Sequence, residues 1–571
     1  MVIQDLKLLI QKALKNLSLE AGDFTIEHPA DMSRGDFATS VALSLAKQAK
    51  VNPRELADRI ATELNLAKPS YIEKMEVAGA GFINITLSRT FFAHEMEVIL
   101  KRGKLYGSSN EWRGTKALVE YTDPNPLKVF HIGHLMSNAI GESIARLIAS
   151  QGAKVRRMCY QGDVGLHIAK TLWGIMRREG EFPSRRVPIA DRVAFLGACY
   201  VQGSNAYEDS PEAKTEIEAI NKKIYEGSDR KLMKYYKLGR TWSLDHLEGI
   251  YKKLGTRFDY YVLESEIMHD GVAIVNEYLE KGIFEKSDGA VVFRGEAHDP
   301  KLHTRVFINS QGLPTYEAKE LGLNTRKWKR VRPDRSIIIT ANEQSDYFRV
   351  VLKAFELILP EARKVTEHVS HGMMRFADGK MGSRKGNIIT GESMIEDVEK
   401  MVFEKLVGRD MPEKDKAGVA EIVAVSAIKY SILKQTTSSD IIYDFDKSIS
   451  FEGDSGPYLL YTAVRAGAIL AKADKEKIKG KIAPDAEPDA ISRTLARFPE
   501  VVSRAANEKA PHYVATYLTE LSSLFNSWYA NTTIVSKDDP LSPHRVALTR
   551  AVRIVLVNGL DLLGIKAPER M

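Results

Sequence analysis

The chain has 571 residues, of which 44% are hydrophobic and 27% charged; this is the balance of a globular protein and excludes a disordered or collagen-like one. Its 82 Lys and Arg against 75 Asp and Glu leave a net charge of +7, which permits a nucleic-acid partner and excludes a wholly basic coating protein. Two cysteines, Cys159 and Cys199, exclude a disulfide framework and a four-cysteine zinc site, and point to a reducing compartment. The N-terminus, MVIQDLKLLIQKALKNL, lacks the apolar core of a signal peptide, and no stretch approaches the ~20 apolar residues that span a bilayer. The expectation is a cytoplasmic protein of roughly three or four domains with no membrane partner.

In chain order, residues 1–20 carry Leu6, Leu9, Ile10, Ala13, Leu14 and Leu17 at helical spacing. A strand-like run from Phe24 to Glu27 follows, then a helix from Asp36 to about Leu64 that Pro53 divides. In GAGFINITLS (79–88), Phe82, Ile83 and Ile85 make a strand after a glycine-rich turn. Residues 1–100 are therefore expected to form a small α+β domain. Residues 101–114 (KRGKLYGSSNEWRG), rich in Gly, Ser and charge, read as a linker.

From Lys116 the pattern changes to a strand in ALVEYT, a Pro/Asn turn, a helix from about Gly133 to Ser150 and a strand in KVRRMCYQGD. Strand–helix–strand in so short a span predicts a βαβ unit and a parallel sheet. A mainly helical stretch, about 170–285, precedes the strand SIIIT (336–340) and a helix bearing Tyr347, Val350, Val351, Ala354 and Leu357. Residues 115–397 are thus expected to be a Rossmann-like parallel-sheet domain with an insertion at about 170–300. Beyond Asp397 the apolar period is helical, which predicts an all-α bundle over 398–571 with an exposed connection near 471–490. The fold class is multidomain α/β.

Two constellations carry chemistry. Asp123-Pro124-Asn125-Pro126-Leu127-Lys128-Val129-Phe130-His131-Ile132-Gly133-His134 lies at the carboxyl end of the first sheet strand and the start of the next helix. Open α/β sheets bind ligands there, and helix N-termini favour anions. Both histidines can face one phosphate, and Gly133 lets a nucleotide approach the backbone. Far downstream, Gly379-Lys380-Met381-Gly382-Ser383-Arg384-Lys385-Gly386-Asn387 sets three cations in a glycine-containing loop, suited to a polyphosphate leaving group. Alone, the first reads equally as helix-start histidines and the second more commonly as a solvated basic loop; together they favour function.

The pair resembles the HIGH and KMSKS signatures of class I aminoacyl-tRNA synthetases, and more narrowly those of the arginyl-tRNA synthetase family. The resemblance continues through VAGAGFINITLS (77–88), YQGDVG (160–165), FDYYVLES (258–265), GLPTYEAKELG (312–322), SFEGDSGPYLLYTAVR (450–465) and GLDLLGIKAPERM (559–571). It implies an arginine–tRNA ligase used in translation, which activates L-arginine with ATP and moves it to the 3′-terminal adenosine of tRNA(Arg). It further implies Mg2+ with the ATP, no structural zinc, a monomer, and an anticodon-binding role for 398–571.

By motif position, the resemblance puts His131, Gly133 and His134 at the ATP phosphates, Lys380 at the pyrophosphate end and the backbone around Met373 and Met374 at adenine. Ser383, Arg384 and Lys385 complete the loop. Ser383 replaces the usual second lysine. Lys128 is the expected substitute, with Arg384 and Lys385 as rivals. Glu120 and Glu320 are expected to hold the guanidinium, which favours bidentate acidic partners. Asn125 is expected at the α-amino or carboxylate end, with Tyr316 and Gln344 as pocket walls. Phe82 and Asn84 match D-loop contacts, and Tyr461 and Met571 anticodon-loop contacts; Trp528 and Tyr529 read as core. The chain departs from the family pattern at Asp123 (usually small), Val164 and His167 in GDVGLH, and Lys319-Glu320 where Arg-Asp is usual. The extra acid at Asp123 suits a cationic substrate, or caps the turn.

Overall fold

The computed structural model describes residues 2–20, 22–377, 389–408 and 411–571. Helix α1 (Val2–Asn16) buries Leu6, Ile10, Ala13 and Leu14, as their spacing requires. Strands β1 (Ile26–Glu27) and β2 (Phe37–Thr39), helices α2 (Val41–Ala49) and α3 (Pro53–Leu66), and strands β3 (Ile72–Ala78) and β4 (Phe82–Leu87) complete the first unit. Its antiparallel sheet runs β1-β2-β4-β3. The helix expected from Asp36 begins instead as a strand, because Phe37–Thr39 pair with Ile83–Ile85. Pro53 opens a new helix, with Asn52 accepting the Arg54 N–H at 2.9 Å. Along β4, Ile83, Ile85 and Leu87 are buried while Phe82 and Asn84 share the outward face.

Helix α4 (Arg89–Arg102) leads into the stretch whose composition reads as a linker. Two aromatic anchors fix that stretch. Tyr106 and Trp112 are buried, and the Tyr106 hydroxyl lies 2.7 Å from Glu95 Oε1 and 3.1 Å from the Leu495 carbonyl oxygen.

The central domain contains β5 (Lys116–Glu120), α5 (Ile132–Ser150), β6 (Lys154–Gln161), α6 (Leu166–Arg177), α7 (Ile189–Asp209), α8 (Pro211–Glu226) and α9 (Arg230–Lys253). Then come β7 (Tyr260–Leu263), α10 (Glu264–Glu280), β8 (Glu285–Ser287), β9 (Ala290–Arg294) and β10 (Thr304–Ile308). Last are α11 (Tyr316–Val331), β11 (Arg335–Ala341), α12 (Ser345–Ile358), α13 (Pro360–Lys364) and β12 (Thr366–His371). Five strands form one parallel sheet in the order β12-β11-β5-β6-β7. The chain moves outward from β5 through β6 and β7, then returns to build β11 and β12 on the other side. Such a reversal leaves a crevice at the carboxyl ends of the two central strands. The region at about 170–300 is not purely helical: β7 rejoins the main sheet, and β8, β9 and β10 form a small antiparallel sheet. These strands, of three to five residues, are too short to show a period of two.

The remaining elements are β13 (Met374–Phe376), α14 (Gly391–Leu406), α15 (Glu413–Leu433), β14 (Ile441–Tyr443), α16 (Phe445–Ser448), α17 (Gly456–Lys475), α18 (Ala490–Ala496), α19 (Phe498–Glu508), α20 (His512–Asn531) and α21 (Ser542–Leu562). The C-terminal part is a helical bundle joined to the central domain by the parallel pair β13–β14. Its apolar core is continuous with that around α5, which is buried along most of its length. No helix among the described residues is long and apolar enough to cross a membrane.

Candidate active site

Between β5 and α5 the chain makes a strained turn. Thr122 (φ 81°), Asp123 (φ 44°) and Leu127 (φ 61°) adopt left-handed backbone, which is unfavourable for these side chains and most so for β-branched Thr122. Hydrogen bonds hold it. The Thr122 N–H donates to Ser137 Oγ (3.0 Å), Asn138 Nδ2 to Thr122 Oγ1 (3.0 Å), and the Leu127 N–H to Ser243 Oγ (2.9 Å). Thr171 Oγ1 donates to the Leu127 carbonyl (3.0 Å), and the Tyr160 N–H to Asp123 Oδ1 (2.7 Å). Helices α5, α6 and α9 and strand β6 thus all fix this loop. Gly162 leaves room for Asn125 beside it, since a Cβ there would overlap Asn125 Oδ1 and displace that side chain.

The loop borders a cavity of about 510 Å³ at the reversal between β5 and β11. Glu120, Asn125, Tyr316, Glu320 and Gln344 all line it, together with His131, Gly133, His134 and Met373. The sequence-derived amino-acid and nucleotide residues are therefore brought into one space. Tyr316 is not core: it is 52% exposed, with the Lys319 ammonium 4.5 Å from its ring centre. Glu120 is not a surface charge: it is 2% exposed and its Oε2 lies 2.5 Å from Lys327 Nζ. Glu264, also in the lining, pairs with Lys319 at 2.5 Å. Glu320 accepts from Asn324 Nδ2 at 3.3 Å. Burial, and then the nearby Glu120 carboxylate, push Glu320 up to about 8. The same two causes raise Asp123 well above the carboxylate range.

The histidine rings stack with centres 3.5 Å apart, and the His131 N–H donates to His134 Nδ1 at 3.3 Å. Burial and the Lys128 charge pull His131 down to about 4; burial and the two neighbouring groups take His134 well below the ordinary range. Both are neutral imidazoles at neutral pH, able to donate one N–H each without bringing charge. Lys128 is outside the cavity lining, its ammonium 5.2 Å from the Tyr200 ring centre. Thr390 bridges His131, and the Gly391 N–H donates to the Phe130 carbonyl at 2.8 Å. Lys380, Ser383, Arg384 and Lys385 lie outside the described residues.

The adenine expectation meets a competing use of the backbone. The Met373 N–H donates to Asp440 Oδ1 (2.8 Å) and its carbonyl accepts the Ile441 N–H (2.8 Å), so both backbone groups are already engaged although the residue lines the cavity. Met374 is buried in β13 and does not line the cavity. Among the described residues no group of three or more His, Cys, Asp or Glu is placed to hold a metal ion.

Away from this crevice, Phe82 is an exposed residue rather than core, with Asn84 beside it on β4. Tyr461 and Met571 meet in a second cavity, of about 360 Å³, with Arg465 and Asn526. The Arg465 guanidinium lies 4.6 Å from the Tyr461 ring centre and 5.0 Å from that of Tyr529, which is 41% exposed and so not core. Trp528 is partly buried against the core.

The model of the class I tRNA synthetase (R) catalytic domain matches residues 95–445. The chain belongs to the arginyl-tRNA synthetase family. The arginyl tRNA synthetase N-terminal domain matches 4–87, and the DALR anticodon binding domain 459–571. The chain is 31% identical over 563 residues to an arginine–tRNA ligase of Treponema denticola, covering 96% of this chain and 94% of that one. It is 30% identical over 584 residues to one of Clostridium perfringens, covering 99% and 100%. The arginyl-tRNA synthetase of Thermus thermophilus superposes with a TM-score of 0.81 at 25% identity over the whole of both chains. The parallel-sheet catalytic domain, N-terminal domain and helical DALR domain are those of an arginyl-tRNA synthetase.

Each departure from the arginyl-tRNA synthetase pattern has a local partner. Val164 is buried with Leu127 in the core formed by α6, α7 and α9. The His167 ring Nε2 lies 2.8 Å from the Gly162 carbonyl, and burial brings it down to about 4. Lys319 is held by Glu264: although burial opposes its charge, the carboxylate keeps it above the usual lysine range. Lys319, Lys327 and Glu264 had no assigned role in the sequence reading. The available signal was Lys319, Glu320 and Lys327 on a helix with the buried Leu321, Gly322 and Leu323, a segment too enclosed for charge without partners.

Proposed function

We propose that this chain is an arginine–tRNA ligase that converts ATP, L-arginine and tRNA(Arg) into arginyl-tRNA, AMP and pyrophosphate. The observation that carries the reading is one cavity lined by two buried carboxylates, Glu120 and Glu320, and by the histidine turn of α5. The carboxylates receive the guanidinium. A side chain lacking that cation leaves them unpaired, which rejects it strongly. Asn125 and Gln344 hold the α-amino and carboxylate end, so that a carboxylate oxygen attacks the α-phosphate in line and pyrophosphate leaves with the P–O bonding pair.

His131 and His134 donate hydrogen bonds to phosphate oxygens as charge develops there, and stay uncharged themselves. Lys128 and Lys380 supply the cations, with ATP entering as its Mg2+ complex. The 2′-hydroxyl of the terminal adenosine then attacks the arginyl carbonyl and releases AMP, as class I membership implies. Phe82 and Asn84 hold a D-loop base, while Tyr461 and Met571 hold the anticodon loop by stacking and edge contacts. The test is charging of tRNA with each standard amino acid in turn. Arginine alone is expected to be attached, and only with ATP. Attachment of another amino acid, or of none, overturns the reading.

A further inference from the structure

The arginine cavity holds more acid than its resident cations balance. Glu120 is matched by Lys327 and Glu264 by Lys319. Asp123 and Glu320 line the same space, and neither forms an ion pair among the described residues. Asp123 is fixed by the Tyr160 N–H on Oδ1 and by its left-handed backbone, at a position where the family pattern carries a small residue. Around the two acids stand Glu120 on β5, Cys159 and Tyr160 on β6, Glu264 on α10, Lys327 on α11 and Tyr347 on α12. The only cation among these is Lys327, and it is already committed to Glu120. The histidines across the cavity are neutral. Carboxylates that share one cavity without a cation for each cannot all ionise while it is empty.

We propose that Asp123 is a further determinant of arginine recognition: together with Glu320 it retains a proton in the empty cavity, and arginine enters in exchange for that proton. The idea rests on the arginine reading above. In balance, a carboxyl of the pair gives its proton to solvent and the resulting carboxylate pairs with the substrate cation. Burial and the Glu120 carboxylate raise both groups, Glu320 to about 8 and Asp123 well above the carboxylate range, so the pair holds a proton at neutral pH. Since arginine binds the ionised form, its affinity rises with pH until about 8 and levels off above it. Each acid influences the other equally, so removing Asp123 makes Glu320 easier to ionise.

The test is calorimetric titration of the full chain with arginine at pH 7 in phosphate and in Tris, whose ionisation enthalpies differ, and across pH 6 to 9. In the wild type about one proton is released per arginine. In Asp123→Asn, which still accepts the Tyr160 N–H, release at pH 7 falls below half and the rise in affinity shifts to lower pH. Binding with no proton released, or equal release in the wild type and Asp123→Asn, overturns the proposal. Should that variant not fold, the wild-type proton count alone decides. Absence of arginine binding at every pH overturns the underlying assignment instead. A merely structural Asp123 would change affinity without changing the proton count.

Discussion

Glu120 and Lys327 show how the site works one residue at a time. The carboxylate is buried against a lysine 2.5 Å away and also borders the cavity, so under the proposed function its charge serves two cations. Replacing it by glutamine removes the charge but keeps the size. Truncating a buried charge pair typically costs a few kcal/mol. Glu120→Gln is therefore expected to raise KM for arginine about a hundredfold, with KM for ATP changed less than about threefold. Steady-state kinetics in each substrate check this split. Lys128→Ala tests the missing signature lysine: activation is expected to slow more than about tenfold, and a change within about threefold returns the role to the loop cations. The histidine turn was legible from its own neighbours in the chain, whereas Glu120 on β5 and Glu320 on α11 came only from their match to arginyl-tRNA synthetase motif positions. Lys319 and Lys327 were not legible, because a lysine in a helix ordinarily reads as solvated, and only the tertiary position of α11 buries these two.

At the scale of elements, a polar joint, buried at Glu142 and Lys429, connects the loop after β5 to the C-terminal bundle. The Tyr121 hydroxyl donates to Glu142 at 2.5 Å, and Arg146 joins Glu142 to Asp561 beyond it, both at 2.7 Å. Beside them Lys429 on α15 is fully buried and donates to the Leu254 and Gly564 carbonyls at 2.6 and 2.8 Å. Burial pulls Lys429 down to about 7. Its folded-state value is thus below that of the unfolded chain, near 10.4 for an ordinary lysine. Between pH 7 and about 10 the unfolded chain binds more protons, so stability rises with pH across that window. Relative to Lys429→Met, the wild type should gain up to about 1.4 kcal/mol per pH unit there, and nothing below pH 6, as thermal unfolding against pH will show. The helices that build this joint follow from apolar period. Strands β7 to β10 do not, since three to five residues carry no readable alternation and their pairing depends on partners remote in the chain.

At the scale of the whole molecule, three matched regions divide one task. The N-terminal unit presents Phe82 and Asn84 outward, the crevice holds the cavity proposed for the small substrates, and the bundle gathers Tyr461 and Met571 in a cavity of its own. The weak net charge of +7 averages over this division: residues 151–200 hold nine Lys and Arg against four Asp and Glu, whereas 401–571 hold 23 against 22. The cationic surplus therefore lies in the catalytic half, the part proposed to receive the phosphates. Base stacking on an aromatic ring contributes roughly 1–3 kcal/mol. Tyr461→Ala and Phe82→Ala are each expected to raise KM for tRNA about tenfold while leaving KM for arginine unchanged, measured by charging at varied tRNA. That one chain carries all three regions was readable from motif order. That Arg465 and Asn526 complete the bundle cavity was not, because helices α17 and α20 meet there only after packing. The central claim is that one crevice binds the arginine side chain on Glu120 and Glu320 and the nucleotide on the histidine turn. A crystal structure with a non-hydrolysable arginyl-adenylate analogue tests it most directly. The guanidinium is expected within hydrogen-bond distance of both carboxylates and the phosphate mimic against His131 and His134. A guanidinium lodged away from Glu120 and Glu320 would contradict it.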